Sequence, residues 1–315
     1  MSAIEVANLK KYFGKTHAVD DISFEVQKGE IFGFLGPNGT GKTTTIRCLL
    51  DFLRADVGQI KIFDLDSRKN STEIKKRIGY LSGDVRLYDG WTAKDHVLFL
   101  ENLRGRQSIA RDLVKKLNLA PNIKFKSLSS GNKQKLGLVL ALMFEPELLI
   151  MDEPTLGLDP LLQNTIYEIL QNLRGQGTTI FMSSHNLAEV DRICDRVGII
   201  KDGKLVATES IQSLKEKRMY LVEIHFAGQF NKLDFNLENV EIRQELADGL
   251  ILGVKGDLNF LIRILSRYQL KELEISRASL EEIFLEFYGL GNHQNQVKPI
   301  ISRQDLQNIP QLEEK

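Results

Sequence analysis

A nine-residue run from Gly36 to Thr44, GPNGTGKTT, carries the spacing G-x-x-x-x-G-K-T as Gly36, Gly41, Lys42 and Thr43. These residue types suit an anion. Gly36, Gly39 and Gly41 let the backbone curl so that successive N–H groups face inward. Those donors and a helix N-terminus together bind phosphate. Lys42 can reach the β- and γ-phosphates of a nucleotide, and the Thr43 hydroxyl suits Mg²⁺. Pro37, Asn38, Thr40 and Thr44 complete the candidate nucleotide-binding loop. The bland alternative is an ordinary Gly-rich turn. Against it stands the context: apolar IFGFL precedes the run, and TTTIRCLLDFL follows with helical spacing of Ile46, Leu49, Leu50 and Leu53.

Two further groups suit the same chemistry. LLIMDEP ends an apolar strand in adjacent acids, Asp152 and Glu153. In a parallel sheet, ligands lie beyond the carboxyl ends of strands. The first acid can hold Mg²⁺ through its water shell, and the second can orient a water that attacks a γ-phosphate. His185 follows a second such strand, IFMSS. Two acids at a strand end fit a solvated turn, and a lone His fits a surface residue. Beside a phosphate loop, all three read as catalytic, with Lys42.

The elements that must position these residues follow from pattern. ISFEV, QKGE and IFGFL (22–35) read as strand, turn, strand, and GQIKIFDL (58–65) reads as a strand. Residues 94–120 read as helices with polar breaks. From Lys94 to Lys135 this stretch holds 10 Lys/Arg and 3 Asp/Glu, a face for anionic headgroups or acidic partner loops, or simply a solvated surface. ELLIMDEP and TTIFMSS are short buried-type strands after helical patterns, which implies a covered, mostly parallel sheet. VGIIKDGKLVA (197–207) is a hairpin turning at Asp202-Gly203. After Met219, YLVEIHFAG, LILGVKG, LNFLIRILSRY, ELEIS and SLEEIFLEFYG predict β-β-α-β-α, a small α+β unit resembling a ferredoxin-like layout. Residues 290–315 hold five Gln, three Asn and two Pro, and read as a mobile tail.

Composition bounds the classes. The chain has 315 residues, 42% apolar and 27% charged, with 42 basic and 42 acidic side chains. A uniformly basic nucleic-acid binder and an acidic disordered chain are both disfavoured. The zero net charge sums unlike parts: 32 basic and 27 acidic in 1–218, 7 and 12 in 219–289, 3 and 3 in 290–315. Those boundaries are the expected domains and tail. Cys48 and Cys194 are far apart with no metal-type spacing, so a reducing compartment fits. The N-terminus lacks the pattern of a secretory signal. No window reaches the ~18–20 uninterrupted apolar residues of a membrane helix; residues 136–151 are cut by Glu145, Pro146 and Glu147. A role at a membrane therefore requires another chain to span it.

Between the loop and the acids lies LSSGNKQ, Leu128 to Gln134. In order, GPNGTGKTT, LSSGNKQ, MDEP, GLD (157–159) and SSH (183–185) resemble an ATP-binding cassette (ABC) transporter ATPase over residues 1 to about 210. A G protein, kinase or recombinase shares only the phosphate loop. The resemblance implies an α/β P-loop NTPase with a RecA-like core, an antiparallel β-subdomain and a helical subdomain. It also implies ATP and Mg²⁺ as ligands, and a head-to-tail, nucleotide-dependent dimer, permitted here as a homodimer. By that resemblance Ser129, Ser130 and Gly131 hold the γ-phosphate across the dimer, with Ser130 at a usual glycine position. His185 is then the switch histidine, Asp159 links the two sites, and Phe13 (with Tyr12 as runner-up) stacks on adenine. One departure stands out: the family usually places Gln where IGYLSGDVRLY has Gly83, so Asp84 is the candidate replacement toward Mg²⁺, with backbone and water as the alternative. The ending SRASLEEIFLEFYG resembles ATPases of the ABC-2 type and of drug- or antibiotic-resistance exporters. The implied partner is a separate transmembrane permease holding this chain at the cytoplasmic membrane face, with no nucleic acid. The competing class is a soluble ABC ATPase of translation or DNA repair. Such relatives carry paired cassettes, coiled coils or zinc modules, and this sequence has one cassette, no heptad run and no CxxC. A module that binds ATP without hydrolysing it is disfavoured by Glu153 and His185.

Overall fold

The computed structural model describes residues 1–216 and 219–277. The last expected helix, SLEEIFLEFYG, and the tail 290–315 lie outside the described residues. The chain runs through β1 (Ser2–Phe13), β2 (Thr16–Gln27), β3 (Ile31–Leu35), α1 (Lys42–Leu49), β4 (Val57–Ile62), β5 (Leu65–Asp66), α2 (Ser71–Arg77) and β6 (Ile78–Leu81). It continues through α3 (Ala93–Arg104), α4 (Ala110–Lys116), α5 (Ser130–Leu142), β7 (Leu148–Asp152), α6 (Pro160–Gly175), β8 (Thr179–Ser184) and α7 (Leu187–Ile193). β9 (Arg196–Lys201), β10 (Lys204–Ser210) and α8 (Ile211–Glu216) follow.

The site is built on a six-stranded sheet ordered β10-β9-β3-β8-β7-β6. All neighbours pair in parallel except β10, an antiparallel edge. Every residue of β3, β7 and β8 is buried. Continuous apolar runs are what a sheet covered on both faces requires. Side chains alternate between those faces. Ile31, Leu35, Leu149, Met151, Ile180 and Met182 enter one core with Leu136 of α5, Ile166 of α6 and Val190 of α7. Phe32, Phe34, Leu148, Ile150 and Phe181 enter the other with Ile46 of α1 and Phe24 of β2.

That second core joins the parallel sheet to an antiparallel sheet, β2-β1-β4-β5. Phe24 lies among Phe32, Phe34 and Phe181 with ring centroids 5.5–5.9 Å apart. Truncating one such ring to alanine costs about 3–5 kcal/mol, so the sheet bearing Tyr12 and Phe13 is held firmly to the sheet bearing the phosphate loop. The β9–β10 hairpin adds a second tie. Its turn residues Asp202 and Gly203 have φ of 48° and 77°, as a type I′ turn requires. Gly203 N–H donates to Thr40 O at 3.2 Å, and Gly203 O accepts from Asp20 N–H at 2.8 Å.

Several elements differ from the pattern-based expectation. GQIKIFDL is a short hairpin, not one strand: Phe63 and Asp64 turn the chain at φ 56° and 64° between β4 and β5. Phe63 is a poor sequence marker for that left-handed conformation, which Asp64 adopts more readily. β2 and β3 lie in different sheets, so the QKGE turn links two layers. β1 and β6 add to the expected strands. In the C-terminal section β11 (Tyr220–Phe226), β12 (Val240–Glu245), β13 (Gly249–Val254), α9 (Asn259–Leu265) and β14 (Leu270–Arg277) form an antiparallel sheet, β12-β13-β11-β14, around its own core. Strand β12 escapes the pattern because VEIRQE is a mostly exposed, charged edge, the composition that protects an edge from further pairing. No helix among the described residues is long and apolar enough to cross a membrane.

Candidate active site

The carboxyl ends of β3, β7 and β8 meet beside the N-terminus of α1. Gly41 begins that helix in the left-handed region, φ 103°, and a Cβ there would lie 2.2 Å from Ala18 O. Only glycine fits this approach. Gly36 N–H donates to Ser184 O at 3.1 Å, which fixes the loop's entry to β8. Lys42 is 5% exposed, and its ammonium donates to Gly36 O at 2.6 Å and Pro37 O at 3.0 Å. Pro37, Asn38 and Gly39 form the exposed crest of the loop, while Thr40 is buried and bonds Pro37 O. Thr44 lies half-buried one residue into α1 beyond Thr43.

Register brings the acids to the loop. Asp152 pairs across the sheet with Ser183. Its Oδ1 accepts from Ser183 Oγ at 2.6 Å and its Oδ2 from Thr43 Oγ1 at 2.8 Å. Glu153 then turns sharply, with φ 49°, a conformation that costs a non-glycine residue of order ~1–3 kcal/mol and clusters at functional sites. Ser183 holds the turn, accepting from Glu153 N–H through Oγ at 3.0 Å and O at 3.2 Å. The Glu153 carboxylate reaches His185 Nδ1 with Oε2 at 2.7 Å, and its Oε1 lies 3.1 Å from Lys42 Nζ. That Oε1 is buried and accepts no hydrogen bond: the lysine is near enough to pair in charge but is aligned on the loop carbonyls.

The remaining expected residues sit on neighbouring segments. Ser129 caps α5, its Oγ accepting from Asn132 N–H at 3.3 Å, and Ser130 is exposed with Gly131 beside it in the first turn. Asp159 caps α6, its Oδ1 accepting from Leu162 N–H at 3.0 Å. Tyr12 donates to Asp20 Oδ1 at 2.9 Å and stacks on His17 at 4.1 Å. Its hydroxyl pKa is raised, first by the bond to Asp20. Phe13 is the open ring, 49% exposed, with Lys11 Nζ 5.4 Å from its centroid.

Asp84 does not join the site as a metal candidate should. Its carboxylate is turned to solvent and accepts from Arg86 at 2.7 Å. The part of this loop that approaches Asp152 is Gly83, where a Cβ would lie 3.0 Å from Asp152 O. The exposed Asp84–Arg86 pair is worth about 1 kcal/mol or less. Asp84→Ala is therefore expected to leave the Mg²⁺-dependent ATPase rate within about fivefold of wild type, the most that about 1 kcal/mol can supply. A tenfold fall, reversed by raising Mg²⁺, would make Asp84 a ligand after all.

Mg²⁺ fits the oxygens that are present. Thr43 and Asp152 offer two hard donors side by side, and Glu153 Oε1, ion-paired with Lys42 at 3.1 Å, accepts no hydrogen bond. Among the described residues no group of three or more His, Cys, Asp or Glu is arranged for a metal. Mg²⁺ keeps several waters and binds through one or two protein oxygens plus phosphate, and Thr43 and Asp152 supply two such oxygens. Pattern reading did not single out Ser183 or Gln134. Ser183 bonds the Asp152 carboxylate and the Glu153 N–H, and the buried Gln134 side chain donates to Pro154 O at 3.1 Å, bracing the turn after Glu153. The doubled serine before His185 was the available signal.

The family description "ABC transporter" matches residues 19–156. The chain is 34% identical over 303 residues to the bacitracin transport ATP-binding protein BcrA of Bacillus licheniformis, covering 91% of this chain and 98% of that one. It is 31% identical over 301 residues to the Nod factor export ATP-binding protein I of Burkholderia lata, covering 92% and 98%. A solved structure described as the ATP-binding subunit of an ABC transporter superposes with a TM-score of 0.63 at 27% identity, covering 68% of this chain and 92% of that one. With a phosphate loop, two acids and a histidine converging on one sheet edge, this chain belongs to the ABC transporter family as an ATP-binding subunit whose ATP hydrolysis is coupled to transport.

Proposed function

We propose that this chain is the ATPase subunit of an ABC-2-type exporter, acting as a pair of copies on a separate membrane-spanning permease at the cytoplasmic face. The observation that carries the site reading is the linked set Thr43–Asp152–Ser183–Glu153–His185, with Lys42 against Glu153. The export reading is supported by the similarity to a Nod factor export protein along nearly the whole chain. We read the cassette as ending near residue 218, with 219–289 an appended α+β unit.

The geometry supports the following residue roles. The inward N–H groups of Gly36–Thr44 and the start of α1 bind the phosphates of ATP. Lys42 exchanges its two loop carbonyls for phosphate oxygens, which changes its partners without moving its charge. Thr43 and Asp152 would hold Mg²⁺, which when bound neutralises charge on the β- and γ-phosphates. Glu153 Oε1, lacking a donor, accepts from the attacking water and orients it. His185 holds Oε2 through Nδ1. To donate to a phosphate oxygen through Nε2 at the same time, its ring must carry both protons.

Closure across two copies completes the site in this reading. Ser129, Ser130 and Gly131, at the exposed start of α5, present hydroxyls and a helix N-terminus to the partner's γ-phosphate. Leu156 and Leu161 flank Asp159 at 56% and 78% exposure, an apolar rim suited to burial between copies. Phe13 stacks on adenine. ATP's differential affinity for the closed pair, a few kcal/mol, shifts the permease between states. The reading is tested by isolating the tagged chain from its native membranes. It should be recovered with a polytopic permease that stimulates its ATPase. Recovery only from the soluble fraction, bound to nucleic acid, would favour the translation or repair class.

A further inference from the structure

Glu189 is a buried acid that the roles above leave unused. It lies in the first turn of α7 and is 3% exposed. Its Oε1 accepts from Thr155 Oγ1 at 2.8 Å, and its Oε2 accepts from Ser184 Oγ at 2.6 Å. Burying a carboxylate is costly unless its oxygens are hydrogen-bonded, and both are. Burial pushes this carboxyl's pKa up, while the bonds from Ser184 and Thr155 pull it down.

The origin of the two donors gives the arrangement its meaning. Thr155 lies two residues beyond Glu153, and Ser184 immediately precedes His185. Glu189 thus ties together, from below, the two strand ends whose side chains meet at 2.7 Å above. Glu153, Pro154, Thr155, Glu189, Ser184 and His185 form a closed ring of covalent and hydrogen bonds. The ring couples the position of Glu153 to that of His185.

We propose that Glu189 is a positioning residue for ATP hydrolysis: by bridging Thr155 and Ser184 it sets the spacing of Glu153 and His185. This rests on the reading of Glu153 as the carboxylate that orients water. A displacement of ~1 Å at reacting groups can cost roughly 100-fold in rate. In the full-length chain, Glu189→Ala should lower kcat by ~10–100-fold. KM and ATP affinity should stay within about twofold, because the lost interaction acts on the chemical step and not on binding. Glu189→Gln should restore most of kcat, since an amide can accept from one hydroxyl and donate to the other. Should Glu189→Ala fail to fold, Thr155→Val removes one arm and should show the same split between kcat and KM. An unchanged kcat in Glu189→Ala or Thr155→Val would overturn the proposal. So would equal losses in kcat and ATP affinity with no rescue by Gln, which would mark Glu189 as packing only. Glu153→Gln assayed in parallel separates the two readings. Hydrolysis surviving there defeats the Glu153 role, whereas hydrolysis lost there but intact in Glu189→Ala defeats only the positioning role.

Discussion

Replacing Glu153 by Gln is expected to abolish steady-state turnover while leaving ATP binding intact. The substitution keeps the shape of the side chain and an acceptor for His185, but removes the charge that draws a proton from water. General-base contributions run to about 10²–10⁴ in rate, so phosphate release should fall by roughly that factor. ATP affinity should hold, because the proposed phosphate-binding groups are the loop amides, Lys42 and Thr43. Phosphate release and nucleotide binding, measured on the same preparation, check both halves. Rapid hydrolysis by this variant would remove Glu153 from its role, and the strained φ of 49° would need another explanation.

The second large effect is at Lys42. Its ammonium is buried at 5% exposure and contacts two loop carbonyls and Glu153. Hydrogen bonds to charged groups contribute about 1.5–3 kcal/mol, and each 1.4 kcal/mol is tenfold in affinity. Lys42→Ala should therefore weaken ATP binding by ~10–100-fold. Part of the change acts on the free protein: without the ammonium, Glu153 loses its charge partner and the Gly36 and Pro37 carbonyls lose a donor. Equilibrium binding of a non-hydrolysed ATP analogue is the appropriate measurement. An unchanged dissociation constant would contradict the reading of residues 36–44 as the phosphate loop.

Much of the site was legible because its chemistry sits in contiguous runs. The phosphate loop, the Asp152–Glu153 pair and His185 each follow an apolar strand, and the structure brings all three to neighbouring strand ends. The alternation of Phe32 and Phe34 against Ile31 and Leu35 follows from the run IFGFL. What escaped pattern depends on register or on long-range pairing. Ser183 matters because β7 and β8 pair with it opposite Asp152. Glu189 matters because its carboxylate joins Thr155, beyond β7, to Ser184 at the end of β8. Neither fact is encoded in local spacing. Strand β12 was hidden by its charged, exposed edge. Asp84 is a candidate by its place in the chain, but its carboxylate pairs with Arg86, and Gly83 is the residue whose backbone meets Asp152.

The net charge of zero likewise conceals two unlike parts. Residues 1–218, slightly basic, hold the candidate site. An acidic C-terminal section is built on its own sheet and core.

The central claim is that ATP, held by this site, joins two copies and that hydrolysis through Glu153 releases them. The most direct measurement is the solution mass of the full-length Glu153→Gln chain by light scattering, with Mg²⁺-ATP and then with Mg²⁺-ADP. The account predicts twice the monomer mass with ATP and the monomer mass with ADP. A chain saturated with ATP, unable to hydrolyse it and still monomeric would contradict it.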